Sequence, residues 1–162
     1  MRRAIAVAVL LLVLTAGTVS AAIVWRSATT NSGPENILRD LIMVEHQRVC
    51  GRSLAGDSRL IWMARYRATD MVLRGYFAHR EPLTGKRVFD HMQKAGISFS
   101  HAAEIIAWNT YPDDLSAREA FRMFMGSTSH RGAIRSCAYT NIGVGDYKVG
   151  AKRMYAVLFI KP

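Results

Sequence analysis

The hydrophobic period of this chain changes in its C-terminal third, and that change limits the folds open to it. Between Ile37 and Phe124 apolar residues recur mostly at helical spacing, whereas the final stretch TNIGVGDYKVGAKRMYAVLFIKP reads as two strands around a turn near Val149-Gly150. A pattern of period 3.6 cannot serve as one of period 2, so helices and strands occupy different parts of the chain. Ile142, Val144, Tyr155, Val157 and Phe159 suit strands, and AEIIAW, Ala103 to Trp108, supplies a third candidate. Helices in front and strands behind predict an α+β layer fold with one small antiparallel sheet.

The helix boundaries are marked by their caps. SGPE places Ser32 and Glu35 as a capping box with Pro34 in the first turn; the helix it opens carries Ile37, Leu38, Leu41, Ile42 and Val49 and ends near Cys50-Gly51. Asp57 is a good N-cap for a second helix with Leu60, Ile61, Ala64, Ala68, Met71 and Val72 at helical spacing, stopped by Gly75. YFAHREPLTG follows as a loop broken by Pro82 and Gly85, then a third helix over about Lys86 to Ala95 with Gly96 behind it. In SAREAF, Ser116 and Glu119 read as another capping box, opening a helix with Ala120, Phe121 and Phe124.

The first residues have a different character. Arg2 and Arg3 precede an uninterrupted apolar run from Ala4 to Leu14, VSA (Val19 to Ala21) is a plausible cleavage site, and apolar residues continue through Trp25 to Arg26. The stretch from Ala4 to Trp25 is 22 residues, enough to span a bilayer, and its two leading arginines satisfy the positive-inside rule. Residues 1–26 are therefore read as a cleaved signal peptide or an uncleaved anchor, 27–34 as a linker and 35–162 as one domain. Either reading exports the domain to the cell envelope or beyond.

Half the residues are apolar, which excludes disorder over most of the chain. Taking Arg2 and Arg3 from the 22 basic residues leaves 20 against 12 acidic, a formal +8. No cluster of Lys and Arg with interleaved aromatics is present, so no specific nucleic acid is expected. For an exported domain the nearer partners are lipid headgroups or an anionic envelope component, and the membrane itself if the first segment is uncleaved. The two cysteines, Cys50 and Cys137, form an even count in an oxidising compartment, which suggests one disulfide; two buried free thiols are the alternative.

Three polar residues sit at element edges beside apolar ones: His79 in YFAHR, Glu104 in HAAEIIAW and His130 in STSHRGAI. They are 25 and 26 residues apart, too far to form a local metal motif. Glu104 is the most informative, because a carboxylate before IIAW is costly to bury without a partner, and histidine is a natural one. If the three converge they can hold a divalent metal or a polarised water; if not, His79 braces its loop, His130 caps a turn and Glu104 faces water. His46, His91 and His101 read as surface or half-buried structure. Ser127 and Ser129 read as helix-start caps, since no strained nucleophile elbow is present.

In order along the chain, AGDSRLIWMARYRATDM, YFAHR, AAEIIAW, SHRGAI, IGVGDY and YAVLFI resemble the signatures of the CAP superfamily, in its bacterial SCP-like extracellular subgroup. The resemblance covers roughly Ile37 to Lys161. It implies an α-β-α sandwich with a central cleft lined by two histidines and two acids, and His79, Glu104 and His130 fall on three of those positions. It also implies that His130 faces the cleft with the IGVG strand nearby, its glycines allowing close approach. The chain departs from the family twice: the usual Gly-Glu-Asn-Ile is Ala103-Glu104-Ile105-Ile106, and the second acid position falls near Ser127.

Two functions follow from the resemblance. The favoured one is an exported, non-catalytic domain binding a lipid, envelope or host ligand in its cleft, with one divalent cation (zinc or magnesium) held by His79 and His130 as a possible cofactor and Glu104 in support. The alternative is a metal- or water-dependent hydrolase, protease- or nuclease-like, using the same cleft.

Overall fold

The computed structural model describes residues 32–162. The segment read as leader or anchor, and the linker as far as residue 31, lie outside the described residues. Among those described, no helix is long and apolar enough to cross a membrane.

The elements run α1 (Gly33–Cys50), β1 (Ala55–Gly56), α2 (Ser58–Leu73), α3 (Val88–Lys94), β2 (His101–Asn109), α4 (Asp113–Gly126), α5 (Thr128–Ile134), β3 (Asn141–Val149) and β4 (Lys152–Lys161). The sheet order is β1-β3-β4-β2. The three long strands pair antiparallel, as the C-terminal period predicts, and β1 adds two residues parallel to β3 at one edge.

β4 explains the layering. Tyr155, Val157 and Phe159 join a core with Leu38 and Ile42 of α1, Phe124 of α4 and Ile134 of α5. Met154, Ala156, Leu158 and Ile160 join a second core with Leu60, Ala64, Ala68 and Met71 of α2 and Val88 and Met92 of α3. A strand covered on both faces has no polar alternate positions, hence the continuous run MYAVLFI. The result is an α-β-α sandwich.

Gly143 and Gly145 belong to the α2 side, not to the neighbourhood of His130. A Cβ at Gly143 would lie 2.3 Å from the Leu60 carbonyl carbon, and one at Gly145 would lie 2.1 Å from the Arg65 backbone nitrogen. Their bare backbone lets α2 settle directly on β3.

Two local expectations are corrected. α4 starts at Asp113, with Pro112 at its N-cap position, so Ser116 lies inside the first turn. Its fully buried hydroxyl donates to Asn109 Oδ1 at 2.7 Å and accepts from the Tyr155 hydroxyl at 3.0 Å, while Glu119 pairs with Arg122. A buried tertiary network outweighs the local cap. His46 is likewise fully buried; its Nδ1 donates to the Ile134 carbonyl at 2.9 Å. One turn later Cys50 is bridged to Cys137, with Cα atoms 5.5 Å apart. Both links tie the end of α1 to the end of α5, the helix that carries His130.

Candidate functional site

β2 is an edge strand, and the cleft lies along its open side. The cavity is about 430 Å³ and draws its walls from both layers. The loop between α2 and α3 contributes His79, Arg80 and Arg87; α5 contributes Ser129, His130 and Ala133; β2 contributes Ala102 to Ile105, with Phe89 of α3 beside them. His79, Glu104 and His130 thus converge on one cavity although 25 and 26 residues separate them in the chain.

Glu104 is the pivot. Its side chain is only 3% exposed. One oxygen accepts from Arg67 Nε at 2.9 Å, and the other faces His79 Nδ1 at 2.7 Å. The contact orients His79, whose side chain is 51% exposed, by its Nδ1 and turns its Nε2 away from the carboxylate.

Arg67 is the residue that sequence reasoning missed. It sits on α2 with a side chain 1% exposed, and besides Glu104 its guanidinium donates to the Tyr76 hydroxyl and the Ala78 carbonyl. It therefore clamps both the carboxylate and the loop that delivers His79. The signal was present: 60, 64, 67 and 71 form one helical stripe, and an arginine in such a stripe needs a buried acid. Ile105, which stands where the family pattern has Asn, points to the opposite face of β2 and packs with Phe124 and Val157. Polar support for Glu104 comes from α2 instead.

The loop is braced from its other side too. Glu81, buried at 4% exposure, accepts from the Thr84 hydroxyl at 2.5 Å and pairs with His91 Nε2 at 2.5 Å. Burial alone would raise the Glu81 pKa, but the Thr84 and His91 hydrogen bonds and the His91 and Arg74 charges together lower it. His91 is thus a structural residue, as expected. His101 is exposed at the start of β2, and its Nδ1 meets Ser100 Oγ at 3.3 Å.

His130 is half-buried and set edge-on to Phe124, ring centroids 5.4 Å apart. Burial, and secondarily the charge of His79, lowers its pKa below the ordinary 6.5. An NMR titration is expected to place the His130 midpoint below 6.5, and His79→Gln should raise it without restoring it, because burial is the larger cause. The folded state then binds this proton less readily than the unfolded chain. Its contribution to stability is complete above 6.5 and is lost as pH falls from there through the folded value. A midpoint at or above 6.5 would contradict this environment.

No family model matches the chain. A solved extracellular protein from Bacillus anthracis containing an SCP domain is 27% identical, with a TM-score of 0.69 over 80% of this chain and 41% of that one. The chain has the fold of the CAP superfamily. An outer surface protein of Borrelia burgdorferi shares the CAP fold at 22% identity, with a TM-score of 0.70 over 79% of this chain and 92% of that one. The uncharacterized protein YkwD of Bacillus subtilis is 31% identical over 132 residues, 78% of this chain and 49% of that protein. The uncharacterized membrane protein YlbC of the same organism is 30% identical over 85% of this chain and 36% of that protein. The chain thus spans about half or less of the curated relatives it matches.

The divalent cation expected for this CAP domain meets a sparse donor set. Among the described residues no group of three or more His, Cys, Asp or Glu side chains is arranged to hold a metal ion. Glu104 commits both oxygens to Arg67 and His79, which leaves two imidazoles where a catalytic zinc site uses three protein ligands. Ser127, at the position of the missing acid, meets Ser129 hydroxyl to hydroxyl at 3.2 Å. The residues present do not amount to a metal centre.

Proposed function

We propose that this is an exported, non-catalytic CAP domain that holds a small ligand, a lipid or a component of the envelope, in the cleft beside β2. The supporting observation is the cavity of about 430 Å³ into which His79 and His130 both face, with His79 oriented by a buried carboxylate. That volume is in the range of small-molecule sites, and polar groups converge there beside an apolar wall of Phe89, Ala102 and Ala133. Export is supported by the character of residues 1–26, read as leader or anchor, by the disulfide and by the extracellular relatives. Hydrolysis is the weaker reading. Glu104 and His79 form a base with its orienting group, but the one serine in the cavity wall bonds another serine rather than either imidazole.

Three soluble probes differing only in head group test the cleft: hexyl phosphate, hexyltrimethylammonium and hexyl glucoside. At least one is expected to bind saturably by NMR titration and to shift the His130 resonances. Ser129 is exposed on the cavity wall, so Ser129→Trp should fill the cleft and weaken that binding at least tenfold while the melting temperature stays within a few degrees. Binding by none of the three, or binding indifferent to Ser129→Trp, would refute the reading.

A further inference from the structure

We infer that the ligand of this cleft is an oxyanion, a phosphate ester with an apolar substituent, gripped by Arg80 and Arg87. The inference rests on the cleft being a ligand site and names the chemical class of what it takes.

Arg80 and Arg87 are seven positions apart in the chain, yet they are opposite partners in an isolated antiparallel bridge that closes the loop between α2 and α3. Directly opposed residues of such a bridge project to the same side, and like charges there repel. Both line the same cavity. No carboxylate lies within ion-pair distance of either guanidinium among the described residues. The nearby acids are already engaged: Glu81 by Thr84 and His91, and Asp90 by the backbone N–H of Arg87 at 2.7 Å. Arg80 donates once, to the Gly85 carbonyl at 2.9 Å, which turns it back along its own loop. The fold therefore sets two arginines opposite one another at a cavity wall, with neither guanidinium in an ion pair among the described residues.

The rest of the cavity fits the same occupant. Glu104, the acid in the wall, is covered by Arg67 and His79, so it presents little negative charge. Two guanidinium forks and two imidazoles offer more N–H donors than the two oxygens of a carboxylate can accept, whereas a tetrahedral phosphate uses them. Phe89, Ala102 and Ala133 supply an apolar wall for the substituent. The loop that carries both arginines is braced by Glu81 and Arg67, which fixes its backbone ahead of any ligand.

Isothermal titration of the full chain with the three hexyl probes and inorganic phosphate tests this. Hexyl phosphate is expected to bind at least tenfold more tightly than either other hexyl probe and than inorganic phosphate. Arg87→Ala should weaken it at least tenfold with no change in melting temperature, because the side chain is exposed and forms no ion pair among the described residues. Equal affinity for the three hexyl probes would overturn the anion and leave the cleft reading standing; no binding by any probe would remove both. Hexyl phosphate binding untouched by Arg87→Ala and Arg80→Ala would also overturn the assignment, and inorganic phosphate binding as tightly as hexyl phosphate would overturn its ester part.

Discussion

Replacing Arg67 with methionine is expected to destabilise the domain by about 3–5 kcal/mol, the usual consequence of leaving one partner of a buried ion pair behind. Glu104 would keep a side chain 3% exposed with only a half-exposed histidine beside it. The Tyr76 hydroxyl and Ala78 carbonyl would also lose their donor. Denaturant unfolding should show a lower midpoint at unchanged slope. The double variant Arg67→Met, Glu104→Leu separates stability from positioning. Apolar replacement of a whole buried pair is often neutral, so it should recover much of the loss, with a coupling energy of roughly 0.5–3 kcal/mol. It should not restore ligand binding, because nothing then orients His79. A single variant within about 0.5 kcal/mol of wild type, the range of ordinary surface changes, would show that Arg67 is no clamp.

Removing the disulfide is the second large effect. Cys50 and Cys137 are 87 positions apart, and closing so long a loop restricts the unfolded chain by roughly 4 kcal/mol in the chain-entropy treatment. For a domain of this size that corresponds to a melting temperature lower by roughly 15 °C. The double serine variant and wild type in reductant should melt together. The loss should also be felt in the cleft, since the bridge helps to hold α5, and α5 carries His130. His46 remains as the second tie, through its bond to the Ile134 carbonyl. Equal melting temperatures with and without reductant would refute the assignment of stability to this bridge.

Much of the fold was legible in the residues. The caps at Asp57 and Gly75, the strand candidates and the turn at Gly150 all act through neighbours within one turn of chain. The misreadings arose where tertiary packing overrode local preference. Ser116 has the sequence of a cap but spends its hydroxyl on Asn109 and Tyr155 inside the core. His46, read as surface or half-buried, continues the stripe of Leu38 and Ile42 and is fully buried, because the Ile134 carbonyl satisfies its Nδ1. His101, exposed at the strand start, is the surface control for the cleft histidines.

By itself the amino-acid sequence determined the order of helices and strands, the pairing candidates Cys50 and Cys137, and three residues worth testing as a site. Period and capping are short-range steric properties, so they are written in adjacent residues. Only the tertiary structure decided what those residues meet. It brings Glu104 between Arg67 and His79, sets His130 across the sheet edge from them, and pairs Arg80 with Arg87 across one bridge. Those contacts depend on strand register, on α2 lying against bare glycine backbone and on a braced loop, and no local pattern encodes a distance between side chains that only packing brings together.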